Sequence, residues 1–281
     1  MTRAAITALS FCLAAASRGE GLRMRYGHQM SGPSMTRSVS LKTALTALYE
    51  NGGGTLELDP GVYEMCEELD FDPVRGPKGI RAPYQPTLII RGAGGESQGV
   101  TIRCSAGFKG NGTDPCFFRF RGKSDSAQPY AIWLENISIA GGDSAALKGV
   151  TGISVEDRRV AIHLKDVHFR QLKTGMRLEE GVGRFVLEYC KFSAISRFGA
   201  DLSGSGDGSV LRCEFANIGL PSSNEISAAL HVKGNTVISE NIFGSCRKSV
   251  VLIRPDISGE MTIVFNEFDL LLLNGRFLFG Y

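Results

Sequence analysis

Five segments decide how this chain reads: AIHLKDVHFRQL (161–172), RFVLEYCKFSAI (184–195), GSVLRCEFANIG (208–219), NTVISENIFGSC (235–246) and EMTIVFNEFDLL (260–271). Aligned, they bring Phe169, Phe192, Phe215, Phe243 and Phe268 into one position, at steps of 23, 23, 28 and 25 residues. Two residues before each lies Val167, Cys190, Cys213, Asn241 or Asn266. Five before lies Leu164, Leu187, Val210, Ile238 or Ile263, and three after lies Leu172, Ile195, Ile218, Cys246 or Leu271. AIWLENISIAGG (131–142) fits the same template with Ile139 in the phenylalanine place.

A second apolar alternation runs between these segments: Ile153/Val155, Met176/Leu178, Ala200/Leu202, Leu230/Val232 and Val250/Leu252, several led by glycine or alanine. Each repeat therefore supplies two or three short strands that cannot bury their own inward face. Stacked at about 4.8 Å per rung, successive coils place like on like and close a continuous core. Each ring so buried contributes about 1.5–3 kcal/mol. Cys190 and Cys213 fall on neighbouring inward positions and read as a buried thiol stack rather than a disulfide.

Upstream, Ser40-Leu41 opens LKTALTALYENGGG, with Leu41, Ala44, Leu45 and Leu48 on one helical face and Gly52 beyond the last turn. TLELDPGVYEM follows as strand, Pro-Gly turn and strand. A short amphipathic helix leading into a Gly-Gly-Thr strand and an Asp-Pro-Gly-Val-Tyr turn resembles the opening of right-handed parallel β-helix proteins. The later coils are similar to the same superfamily of pectate lyases, polygalacturonases, alginate epimerases and phage tailspikes, over roughly residues 38–270. The resemblance implies an all-β, single-stranded right-handed parallel β-helix spanning 38–281, with a short capping helix at its amino end. It implies a polysaccharide or glycan as partner and leaves calcium open, although no calcium-ligand motif is present. The superfamily's signatures are missing: no paired-aspartate strand with downstream His-Gly and Arg-x-Lys, no clustered aspartates with a following arginine motif, no Asp-Pro-His-Asp. No catalytic residue is carried over, and no cofactor is expected.

Composition agrees with a chain of strands and tight turns. Of 281 residues 35 are glycine, roughly twice the usual ~7%. Lys and Arg number 31 against 29 Asp and Glu, a net charge of +2, which offers no basic excess for gripping nucleic acid. Residues 1–17 (MTRAAITALSFCLAAAS) read as a secretory signal peptide ending in small residues, or else as a buried terminal helix; the run is too short to span a bilayer. With a signal peptide the protein is expected to be secreted or at a cell surface, or on a virion. Residues 18–37 read as a linker. Cys12 would leave with the signal, and the other six cysteines show no CxxC pair. The sequons at Asn111 and Asn136 are frequent by chance. The stretches 66–87 and 107–130 read as loops that either wall a groove or decorate the cap. The apolar end, Leu270–Leu273 and Phe277–Phe279, must fold over the stack, meet a partner such as two further copies in a trimer, or mark a truncated end.

Alternation fixes the outward positions once the inward ones are known. On the second strand they read Ser154, Arg177, Asp201, His231, Val251 and, beside them, Glu156, Glu179, Ser203, Lys233, Ile253. Arg177, Asp201 and His231 set cation, carboxylate and imidazole on successive rungs. Glu179 and Asp201 would stand roughly 8 Å apart, within the ~6.5–9.5 Å of inverting glycoside hydrolysis. LPSSNEIS (220–227), inserted beside His231, is a candidate groove lip. On the phenylalanine strand the outward columns read Asp166, Tyr189, Arg212, Glu240 and His168, Lys191, Glu214, Ile242. Asp166, His168, Tyr189, Lys191 and Arg212 form a second candidate set, suited to β-elimination from a uronic acid. There a cation neutralises the carboxylate and a Tyr, His or Lys removes the C5 proton. Both sets also read as solvated ion-pair ladders worth about 0–1 kcal/mol per pair. Two functions follow: a hydrolase or lyase acting on a polysaccharide laid along the coils, or a non-catalytic adhesion module or trimeric stalk.

Overall fold

The chain forms a parallel β-helix. The computed structural model describes residues 22–26, 34–73, 86–94, 99–110, 114–121, 129–141, 149–205, 207–219, 226–247, 249–254 and 260–269. Each coil contributes a strand to three faces in turn. The first face runs through Leu22–Tyr26, Gly53–Leu58, Thr87–Gly92, the first half of Tyr130–Ala140 and of Val160–Arg170, Phe185–Glu188, Asp207–Leu211, Asn235–Ser239 and Thr262–Val264. The second runs through Gly61–Glu67, Val100–Lys109, the second halves of Tyr130–Ala140 and Val160–Arg170, Lys191–Ile195, Glu214–Ile218, Ile242–Gly244 and Glu267–Asp269. The third holds Leu69–Phe71, Cys116–Phe120, Thr151–Val155, Thr174–Leu178, Phe198–Asp201, Ala228–Val232 and Ser249–Ile253. Among the described residues every strand pairing is parallel, and the register shifts only between Met65 and Glu67.

Phe169, Phe192, Phe215 and Phe243 are buried inside the tube, and Phe268, 38% exposed, continues their pile. Phe169, Phe192, Phe215, Phe243 and Phe268 stack with centroids 4.9, 4.7, 5.1 and 5.3 Å apart and nearly coplanar rings. The rings leave no room for a side chain on the adjoining third-face strand. A Cβ built at Gly152, Gly175 or Gly199 would come within 2.9, 2.7 or 2.8 Å of the neighbouring ring. This is the physical reason these third-face strands carry glycine near their start.

The corner between first and second faces needs one residue in the left-handed region. Asn136, Asp166, Tyr189, Arg212, Glu240 and Phe265 occupy it, all with φ between 51 and 57°. The residue after each points in. Cys190 and Cys213 are buried there as thiols, and Cys190 Sγ bonds the Leu164 and Glu188 carbonyls at 3.5 and 3.4 Å. Burial pushes the Cys190 thiol pKa well up. One coil later asparagine takes over. Asn241 Oδ1 accepts from the Cys213 N–H at 2.8 Å, and its Nδ2 donates to the Val210 carbonyl and to Asn266 Oδ1. None of the six described cysteines is in a disulfide.

The capping helix is longer than the sequence suggests. It runs Ser34–Glu50, and Leu41, Ala44, Leu45, Leu48 and Tyr49 are buried against the first coil. Gly52, with φ 87°, ends it. Residues 18–37 include the strand Leu22–Tyr26, paired with Gly53–Leu58, as well as the start of the helix. LRMRY alternates with period two, the signal of a half-buried strand. Residues 1–17, 74–85, 111–113, 122–128, 220–225 and 270–281 lie outside the described residues, and with them the signal peptide, most of the candidate groove loops and the apolar end. Among the described residues no helix is long and apolar enough to cross a membrane.

Candidate functional site

The third face carries one outward column through seven coils: Asp70, Arg119, Ser154, Arg177, Asp201, His231 and Leu252. Arg177, Asp201 and His231 thus stand on successive rungs, as alternation requires. The last rung differs from expectation. His231 is followed by Leu252 rather than Val251, and the Arg254 N–H bonds the Val232 carbonyl, so Arg254 rather than Ile253 follows Lys233. The run SVVLI is apolar at nearly every position, so alternation cannot distinguish its two faces.

Asp201 and His231 form the core of the site. His231 Nδ1 lies 2.9 Å from Asp201 Oδ1, though not in line for a well-directed hydrogen bond. Ser203 Oγ donates to the same carboxylate at 2.7 Å. A face of the imidazole packs on Phe198, centroids 5.2 Å apart and planes 24° from parallel. The Arg197 guanidinium covers the Phe198 ring at 4.9 Å. Both Asp201 and His231 are largely buried yet reachable, with side chains 16% and 20% exposed. Burial acts to raise the Asp201 pKa, but His231 and the Ser203 hydroxyl and N–H outweigh it, so the carboxyl sits below its ordinary range.

Arg177 is anchored rather than free. Its Nη1 contacts Asp114 and its Nη2 lies 3.0 Å from Glu179. Asp114 precedes Cys116–Phe120, two coils back. It also takes Lys173 at 3.3 Å, while its carbonyl accepts from Arg119 at 3.0 Å. Arg119 is itself buried and ion-paired to Glu68 and Glu156, and Arg121 lies 3.0 Å from Asp70. Glu68, Asp70, Asp114, Arg119, Arg121 and Arg197 are wall residues that sequence reasoning missed. They belong to coils outside the phenylalanine repeat or to positions with no recurring residue type.

An inverting hydrolase needs one carboxyl kept protonated as the acid. Asp201 is held ionised, and Glu179, nearly half exposed, lies against a guanidinium. The pair Asp201–His231 suits proton transfer instead, because a carboxylate at Nδ1 orients the imidazole and leaves Nε2 to exchange a proton.

Of the second candidate set, the structure brings Tyr189 and Arg212 into contact and places His168 and Lys191 on successive rungs. Asp166, Tyr189 and Arg212 occupy the left-handed corner, and Arg212 is tied to Glu240 at 2.7 Å and to the Tyr189 hydroxyl at 2.7 Å. Lys191 pairs with exposed Glu214 at 3.0 Å. His168 Nε2 contacts Ser193 Oγ at 3.2 Å, and burial, Arg170 and Lys191 together push its pKa down. Among the described residues no cluster of three or more His, Cys, Asp or Glu side chains could hold a metal ion.

No family model and no curated protein matches the chain. Solved structures with a similar course include a pectin methyl esterase from rice weevil, 10% identical over 73% of this chain and 74% of that one, with a TM-score of 0.40. A candidate glycosyl hydrolase from Parabacteroides merdae is 12% identical over 81% and 96%, with a TM-score of 0.36. The A-module of a mannuronan C-5 epimerase from Azotobacter vinelandii is 12% identical over 86% and 95%, with a TM-score of 0.22. These likenesses assign no residue and no reaction to this chain.

Proposed function

We propose that the protein cleaves a uronic-acid polysaccharide by β-elimination on its third face, with His231 as the base. One observation carries this reading: the His231 imidazole meets the Asp201 carboxylate at its Nδ1 edge and rests a face on the Phe198 ring. With Nδ1 turned to the Asp201 carboxylate, Nε2 takes the proton from C5. The freed electron pair forms the C4=C5 double bond and the C4–O4 bond breaks. The departing O4 takes the proton back from His231, which returns to its starting state. The Arg197 guanidinium, with no carboxylate partner among the described residues, would neutralise the substrate carboxylate and so acidify C5. The work takes place outside the cell, following secretion directed by residues 1–17. The test is a scan of pectate, alginate and bacterial acidic glycans, read by the ultraviolet absorbance of the unsaturated product and by new reducing ends. Unsaturated product supports elimination. Reducing ends without it would point to hydrolysis instead.

A second reading, a non-catalytic glycan-binding or adhesion wall, has its own observation. Arg177, Lys191 and Arg212 are all engaged by carboxylates of this chain. Silence across the scan would favour it.

A further inference from the structure

The first face holds a feature that the third-face reaction does not use. Trp133, the chain's one tryptophan, stands outward on the flat wall and is 37% exposed. His163 on the next rung meets it edge-on, centroids 4.7 Å apart and planes at 71°, which fixes the indole's orientation. In register with them lie Ile89 and Val186, making a short apolar strip along the tube axis. On one side the next outward column is Thr87, Ala131, Ala161, whose small side chains leave a trough beside the indole. On the other side stand Arg91, Glu135, Lys165 and Glu188, longer and alternating in sign. Arg91 Nε pairs with Glu135 at 2.6 Å, and Glu188 lies 3.5 Å from His163.

We infer that this trough is a binding site for a neutral polysaccharide, separate from the third-face centre. An exposed indole offers its face to the C–H surface of a pyranose ring, and adjacent polar heads meet the ring's hydroxyls. The charges beside it alternate in sign and offset one another, so no cationic excess is left to select a carboxylate. The trough runs along successive rungs, which suits a linear chain rather than an isolated sugar. Such a site tethers the protein to one polymer while the other face works on another, and it does not depend on that activity.

Trp133 is also the reporter. The full-length protein is titrated with hydroxyethylcellulose, galactomannan, soluble xylan and laminarin, reading indole emission and mobility in gels containing each polymer. At least one polymer is expected to shift the emission and retard the protein. Trp133→Ala should weaken binding by roughly 10-fold or more. Ala161→Lys, which fills the trough from an outward position and leaves the indole in place, should do the same with an unchanged melting temperature. Asp201→Asn should bind as the parent does. The inference is overturned if none of the four polymers alters emission or mobility, if binding survives both wall substitutions, or if Asp201→Asn abolishes it.

Discussion

The inside and the outside of this tube obey opposite rules. Inside, identical residues stack: four buried phenylalanines in one column, two thiols and then two asparagines in another. Outside, unlike residues stack: Glu57, Arg91, Glu135, Lys165 and Glu188 on the first face, Lys191 on Glu214 and Arg212 on Glu240 at the second. Both follow from one spacing of about 4.8 Å between rungs. Apolar rings gain from contact with their copies at that distance, whereas like charges repel. Alternating charge on a wall is therefore what the solenoid itself demands, and a column of mixed charge is no sign of chemistry. The Asp201–His231 pair is largely buried and packed on the Phe198 ring, unlike the exposed Lys191–Glu214 and Arg212–Glu240 pairs.

The sharpest way to break the inner rule is to add bulk where glycine is required. Gly175→Val puts a Cβ 2.5 Å from the Gly199 carbonyl and 2.7 Å from the Phe192 ring, and should cost more than about 4 kcal/mol or prevent folding, read from urea unfolding. Phe192→Ala removes a ring from within the stack and should cost about 3–5 kcal/mol. A cost under about 1 kcal/mol would show that the stack is not continuous. Asn241→Ala strips partners from the Cys213 N–H and the Val210 carbonyl, for roughly 2 kcal/mol.

Outside, the effects shrink. The Asp201 pKa is lower in the folded state than the usual ~3.9, so its contribution is present above that value and lost as pH falls through the folded one. Urea midpoints should accordingly drop below about pH 4, and Asp201→Asn should flatten that limb. Lys191→Ala, on an exposed pair, should change stability by less than about 0.5 kcal/mol. A larger loss would mean that the outer ladders hold the tube together.

This contrast explains what the sequence made legible. The inner rule repeats a residue type, so Phe169 to Phe268 announce themselves, and with them the coil register and the rungs of Arg177, Asp201 and His231. The wall is written by difference, so its contacts leave no pattern. Asp114 reaches Arg177 across 63 residues, and Phe198 shares its column with Thr174 and Ala228. The glycines ahead of Met176 and Ala200 were visible, but the ring contacts that require them appear only with coordinates. The slip at Leu252 has a related cause: Ser249–Ile253 is apolar toward both faces.

The measurement that bears most directly on the account is the elimination rate of variants from the two outer surfaces on an acidic glycan, followed by the absorbance of the new double bond. His231→Ala should lower the rate at least ~100-fold and Asp201→Asn by less, while Lys191→Ala and Arg212→Ala leave it unchanged. A His231→Ala protein that still works at the parent rate, or a loss of activity confined to the Lys191 and Arg212 variants, would contradict the assignment of chemistry to the third face.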